Sequence, residues 1–252
     1  MDFCELANCR SMDMNGAMPA PTETLAHELE TTLRALLPEG MVVVAAASSC
    51  PPQDWADRCP AEAAHVAKAV ASRRDEFHTS RECARACLNV LGFGAVELPP
   101  DPEGLPVWPE GLSGSIAHSR GLCLAVLALS RLCPVIGADL ERVDRMSKAA
   151  AARVVHPDER AFASDDQGRA TVLFSLKEAF FKCQYPRWRA QPGFQDLAFD
   201  IDSGAGRARV RWIRGDLPEA VRTAAAAMEF RFAFAGRYVA SLAWAQPSTE
   251  SR

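Results

Sequence analysis

The sequence has no C-x-x-C pair, no apolar run long enough to cross a bilayer and no excess of basic residues, and each absence removes a class of function. Nine cysteines, an odd number, do not make a disulfide framework or a zinc knuckle. Cys83 and Cys87 would meet on a helix, but two thiols are a poor metal site, so the cysteines read as buried, reduced thiols of a cytoplasmic protein. A formal net charge of −4 and a pI near 5.8 give no general attraction to nucleic acid or anionic membrane. Any phosphate binding must therefore come from a local cluster. The longest apolar run, Leu122–Leu129, is too short for a transmembrane helix, and MDFCELANCR does not read as a secretory signal.

What is present is a chain of 252 residues, 48 % hydrophobic, enough to bury a sizeable core. Residues 1–22, with Gly16, Pro19 and Pro21, read as a loose leader. The helical pattern Thr24–Leu37 stops at Pro38 and Gly40, and MVVVAAA, Met41–Ala47, follows as a buried strand. Ala61–Leu91 is helix-rich and ends at Gly92 and Gly94; LPPDPEGLPVWPEG is then an ordered loop or extended wall. SGSIAHS and LCLAVLALS, separated by Arg120 and Gly121, suit a hairpin, and PVIGADLE is a further strand. Helices over Ser147–Ala163 and Gly168–Gln184 precede strands at Leu197–Ile201, Ala208–Ile213, Glu229–Ala235 and Arg237–Trp244. Helices followed by antiparallel strands, twice over, predict an α+β fold of two similar lobes, 23–132 and 133–247, with a short tail at 248–252.

In GADLE, strand alternation points Asp139 and Glu141 to one face. Burying two neighbouring carboxylates unpaired costs several kcal/mol, which a hard cation such as magnesium relieves; on an exposed face, solvation or a partner such as Arg142 suffices. In FSLKEAFFK, Glu178 and Lys182 lie one helical turn apart, where an exposed pair contributes about 0.3–0.5 kcal/mol. Phe174 and Phe181 flank them, so the helix is apolar on more than one stripe and reads as partly buried. Glu178 can then complete a three-carboxylate metal site, with Lys182 on phosphate oxygens. GSIAHS brings His118 close to a turn. Arg73, Arg74, Arg81 and Arg85 line one helix, with Arg73, Phe77 and Arg81 spaced by four to hold an anion or simply to face water.

Taken in order, RRDEF and SRECAR, LPVWPEGLSGSIAHS, GADLE, and FSLKEAFFK with its following QYP resemble the 4′-phosphopantetheinyl transferases of the siderophore and secondary-metabolite type, over about Val66–Asp196. The resemblance implies a pseudo-dimeric, two-lobed α+β fold. It implies transfer of the phosphopantetheine arm of the co-substrate coenzyme A to a serine of an apo acyl or peptidyl carrier protein, with release of adenosine 3′,5′-bisphosphate. Magnesium, or manganese in its stead, would sit on Asp139, Glu141 and Glu178; Lys182 would contact the pyrophosphate and Lys177 would assist. Glu178 would take the serine proton, directly or through a metal-bound water. Arg73, Arg81 and His118 match positions that grip the nucleotide and its 3′-phosphate, and Pro106 and Trp108 match the loop lining the coenzyme A pocket.

Several positions depart from the family, among them Ser80, where a glycine is usual before Arg81, and RWRAQPGFQD after Pro186, which lacks the common leucine-threonine. Glu103, Gly104 and Leu105 stand before Pro106 where a lysine or arginine is usual, and Ala117 precedes His118 where a hydroxyl is usual. Glu103→Arg is therefore expected to tighten coenzyme A binding. The expected protein is a cytoplasmic monomer that partners a carrier protein, with no nucleic acid and no membrane insertion. The competing readings are a non-catalytic carrier-binding relative and a magnesium-dependent phosphodiesterase or nuclease, the latter disfavoured by the acidic pI.

Overall fold

Leu25, Leu29, Leu33 and Leu36 recur at helical spacing, and α1 (Thr22–Leu36) buries Ala26, Leu29 and Leu33 on that stripe. It opens the computed structural model, which describes residues 22–246; the expected leader, Thr22 apart, and the tail at 248–252 lie outside the described residues. The alternating strand β1 (Met41–Ala47) pairs antiparallel with β3 (Leu122–Leu129), and β3 pairs on its other edge with β2 (Leu112–Ser119). As the central strand, β3 is covered on both faces, which explains its unbroken apolar sequence. Cys123, Ala125 and Leu127 enter one core with Cys83, Cys87 and Leu88, while Leu122, Leu124 and Val126 enter another with Leu29 and Leu33.

The helix-rich region breaks into short helices α2 (Trp55–Arg58) and α3 (Pro60–His65) and the long α4 (Ala71–Val90). In the second lobe, β4 (Val135–Arg142) begins a five-stranded sheet of order β4-β8-β7-β6-β5, with β5 (Leu197–Asp202), β6 (Arg207–Ile213), β7 (Glu229–Ala235) and β8 (Tyr238–Ala245). The expected helix Ser147–Ala163 is instead α5 (Lys148–Val154), a 3-10 turn (Pro157–Glu159) and α6 (Arg160–Ala163). Pro157 forces His156 into an extended conformation, ψ 151°, and so interrupts the helix. α7 (Gln167–Trp188) is the FSLKEAFFK helix, and α8 (Glu219–Ala227), unmarked in the sequence reading, buries Val221 and Ala225.

The α+β class and antiparallel sheets are as expected, although the lobes differ in size, three strands against five. Residues Ser130–Pro134 join β3 to β4. The lobes nevertheless share one core: Leu33, Ala117 and Leu122 of the first lobe pack with Ile136, Leu140 and Leu242 of the second. Polar stitches reinforce the seam. Ala138 N donates to Ser115 Oγ at 2.9 Å, Tyr238 OH donates to the Arg120 carbonyl at 3.0 Å, and Ser113 Oγ donates to the Cys133 carbonyl.

Candidate active site at the seam of the lobes

Asp166 caps α7, its Oδ1 accepting from Gly168 N at 2.7 Å and Arg169 N at 3.1 Å. The helix is buried on several sides, as its multiple apolar stripes require, and it packs on β4 and β8. Gly137 makes that packing close: a Cβ there would overlap the Ala179 carbonyl oxygen and stand 2.5 Å from Cys183 N. Strand alternation then decides the rest. Ile136, Ala138 and Leu140 enter the shared core, while Gly137, Asp139 and Glu141 lie on the opposite face of β4, where Gly137 meets α7.

On that face, Lys182 Nζ donates to Asp139 Oδ1 at 2.7 Å, with Asp139 buried and Lys182 one-third exposed. Lys182 is thus turned to the strand, and Glu178, one helical turn before it, is near enough to feel the Asp139 and Glu141 charges. Asp139 Oδ2 is buried with no hydrogen-bond partner among the described residues. Burial first, and then the Asp139 charge, pushes both Glu178 and Glu141 above the usual carboxylate range. Arg145 NH1 reaches Glu141 Oε2 at 3.2 Å, whereas Arg142 turns to Asp144, at 2.5 and 3.0 Å, and leaves the cluster. Among the described residues, no three acidic, histidine or cysteine side chains are arranged so that they could hold a metal ion together. Asp139 Oδ2 is nevertheless a buried oxygen short of positive charge, and both glutamates are near enough to feel the Asp139 charge. The oxygens available here are of the hard type that magnesium prefers.

The first lobe borders this cluster. Arg73 NH1 donates to His118 Nε2, and His118 Nδ1 lies 3.1 Å from Glu76 Oε2. This puts the imidazole proton on Nδ1. Burial, then Arg73, holds His118 below its ordinary pKa, so the ring is neutral at pH 7; Lys182 and Asp139 are among the charges acting on it. Arg81, 5 % exposed, donates Nε to the Leu98 carbonyl at 3.1 Å and lies 4.1 Å from the Phe77 ring centre. The carboxylate nearest in effect, Glu62, is committed to Arg85, at 2.7 and 3.3 Å. Burial pushes Arg81 down to about 10, as expected of a guanidinium short of an anion. Pro106 bridges to Pro100, and half-buried Trp108 packs over Gly114, where a Cβ would come within 3.1 Å of Cε2.

Lys177 is the correction. Its Nζ donates to Glu159 Oε2 at 2.6 Å and to the Val154 carbonyl at 2.8 Å, with both side chains almost wholly buried. It therefore does not join the Asp139 cluster, because consecutive residues on a helix point about 100° apart and only Glu178 faces the strand carboxylates. Arg85 likewise belongs to the framework. The sequence reading also missed Arg145, Glu76 and Glu62: Arg145 stands four residues after Glu141 but beyond the end of β4 and on no helix, and Glu76 and Glu62 meet His118 and Arg85, which are distant in sequence.

Clustered oxygen donors, a lysine among them and cations on the adjoining lobe are the parts a phosphate-binding site needs. The comparisons make this specific. Residues 61–128 match the 4′-phosphopantetheinyl transferase N-terminal domain, and residues 135–243 match the 4′-phosphopantetheinyl transferase superfamily. The chain is 36 % identical over 186 residues to 4′-phosphopantetheinyl transferase Svp of Streptomyces mobaraensis, covering 71 % of this chain and 76 % of that protein. It is 34 % identical to 4′-phosphopantetheinyl transferase PptT of Mycobacterium tuberculosis, covering 57 % and 66 %. Among solved structures, the holo-ACP-synthase of Plasmodium yoelii aligns at 18 % identity and TM-score 0.36, covering 46 % of this chain and 97 % of that one. The chain belongs to the 4′-phosphopantetheinyl transferase superfamily. These matches lend no support to the phosphodiesterase or the non-catalytic reading.

Proposed function

We propose that Asp139, Glu141 and Glu178 hold magnesium and that Lys182, Arg73, Arg81 and His118 receive the phosphates of coenzyme A. As a 4′-phosphopantetheinyl transferase, the chain moves phosphopantetheine from coenzyme A to a carrier protein. The observation that carries the metal assignment is Asp139 Oδ2, buried without a partner beside two carboxylates held above their usual range. When bound, magnesium would neutralise charge on the pyrophosphate oxygens.

The remaining work falls to side chains of this chain. Lys182 donates one N–H to Asp139, and its ammonium has further donors for a phosphate oxygen. Arg81 supplies a buried cation, and Arg73 an exposed one, for the nucleotide end. Neutral His118, held between Glu76 and Arg73, orients that arginine. Glu178 takes the proton from the carrier serine; the serine oxygen then bonds to phosphorus as the bond to adenosine 3′,5′-bisphosphate breaks. The reading includes a cytoplasmic monomer, since both walls of the site come from one chain. Among the described residues, no helix is long and apolar enough to cross a membrane.

The test is to incubate the protein with magnesium, coenzyme A and apo carrier proteins and to weigh the carrier. A mass gain of one phosphopantetheine is expected, and an unchanged mass across several acyl and peptidyl carriers overturns the reading. Asp139→Ala and Glu178→Gln are each expected to abolish the gain, with the circular dichroism of the folded protein retained. Full transfer by either variant removes that residue from the site.

A further inference from the structure

The stretch Leu98–Trp108 connects the two halves of the site by a route that the chemistry above does not use. At its base, Leu98 N donates to Glu62 Oε1 at 2.7 Å, and the Leu98 carbonyl accepts from Arg81 Nε at 3.1 Å. Its tip is a tight turn: Pro100 and Pro106 bridge, Asp101 N donates to the Leu105 carbonyl at 2.8 Å, and Asp101 Oδ1 accepts from Glu103 N at 2.9 Å and Leu105 N at 2.8 Å. Gly104, at φ +86°, supplies the left-handed residue that closes it. Glu103 is held out from this turn toward the second lobe. Its Oε2 accepts from Arg189 NH1 at 2.5 Å and from Tyr185 OH at 3.2 Å. Arg189 is the left-handed cap of α7, at φ +54°, with its guanidinium 5.2 Å from the Tyr185 ring. Tyr185 stacks in turn on Phe181 at 4.9 Å, one residue before Lys182.

We propose that Glu103, Arg189 and Tyr185 form a clasp that fixes the Leu98–Trp108 loop against the end of the catalytic helix and so sets the width of the coenzyme A cleft. Glu103 and Arg189 are positioning residues, and the proposal rests on the transferase reading, in which Pro106 and Trp108 wall that cleft. The loop is pinned at its base and stiffened by its own turn, so its remaining freedom is a hinge motion of the tip. A contact at the tip arrests that motion. The pair is about half exposed and adds little to global stability. Its loss is therefore felt in substrate binding before it is felt in melting. The clasp also reverses the sequence expectation for Glu103→Arg, which would set a second guanidinium against Arg189 and loosen coenzyme A instead of tightening it.

The experiment compares wild type, Glu103→Gln, Arg189→Gln, Glu103→Arg and the swap Glu103→Arg/Arg189→Glu. It measures KM and kcat for coenzyme A in transfer, and Kd for coenzyme A by calorimetry. Each glutamine variant is expected to raise KM and Kd about three- to fivefold, the effect of an exposed ion pair, with kcat within about twofold. Glu103→Arg is expected to be worse, and the swap to recover most of the affinity. Unchanged KM and Kd in the glutamine variants, an equal fall in kcat, or a swap no better than Glu103→Arg overturns the clasp. If wild type modifies no carrier, the transferase reading fails on its own; a double-mutant cycle on thermal unfolding then tests the contact, and strictly additive losses from Glu103→Gln and Arg189→Gln overturn it.

Discussion

Lys177 and Lys182 lie five residues apart on α7, and each holds a carboxylate at nearly the same distance, Glu159 at 2.6 Å and Asp139 at 2.7 Å. Around Glu159 every contact is taken up. Oε2 also accepts His156 N at 2.8 Å, Oε1 accepts Phe199 N at 2.8 Å, and Lys177 spends a second proton on the Val154 carbonyl. Around Asp139 one oxygen has Lys182, the other has no partner, and Lys182 is one-third open to solvent. Distance alone does not separate a structural ion pair from a functional one. What separates them is whether the remaining donors and acceptors are satisfied from within the fold. The Glu159 network ties α7 to the 3-10 turn, to the end of α5 and to β5, and so fixes the helix against which the open pair is presented.

The largest effect should come from breaking the closed pair. Lys177→Met leaves Glu159 buried without its counter-charge, and a loss of about 3–5 kcal/mol in denaturant unfolding is expected, while transfer per folded molecule stays near wild type. A loss below about 1 kcal/mol, or a collapse of transfer in fully folded protein, would erase the distinction between the two lysines. Lys182→Met should behave in the opposite way. Lys182 is one-third open to solvent, so although its removal leaves buried Asp139 without a counter-charge, the stability loss is expected to be smaller than that of Lys177→Met. A charge-assisted hydrogen bond to a phosphate oxygen contributes about 1.5–3 kcal/mol, so transfer is expected to fall roughly 10- to 100-fold, read as kcat/KM for coenzyme A.

The same comparison marks what could be read from the chain. GADLE and FSLKEAFFK carried their own geometry, since alternation on a strand and the helical turn both follow from local spacing, and the two-lobe order followed from the apolar pattern. Which lysine meets the site did not. That depends on how α7 is rotated over β4, which the absent side chain of Gly137 helps to fix, and on Glu159, eighteen residues upstream, which takes Lys177 away. α8 is amphipathic but only 9 residues long, too short for its apolar stripe to repeat beyond Val221 and Ala225. Glu103 and Arg189 are 86 residues apart and share no periodicity; only the fold brings them together.

The smallest effect concerns Glu178 in protein freed of metal. Burial, and next the Asp139 charge, raise its folded pKa above the ordinary 4.5, with Glu141 adding in the same direction and Lys182 opposing. A carboxyl raised on folding contributes stability that is complete below its unfolded pKa and is lost as pH rises through the folded value. Wild type should therefore carry an unrelieved charge at pH 8, and Glu178→Gln should melt higher there, by less than the loss seen in Lys177→Met. The advantage should shrink on acidification and vanish below about pH 4.5, where wild type is protonated as well. Magnesium at pH 8 should lift the wild-type Tm and not that of Glu178→Gln, since only the wild type has all three carboxylates to offer. Equal magnesium shifts in both proteins would remove Glu178 from the cation site, and a glutamine variant that melts lower than wild type at pH 8 would mean that the fold already neutralises this carboxylate as fully as it does Glu159.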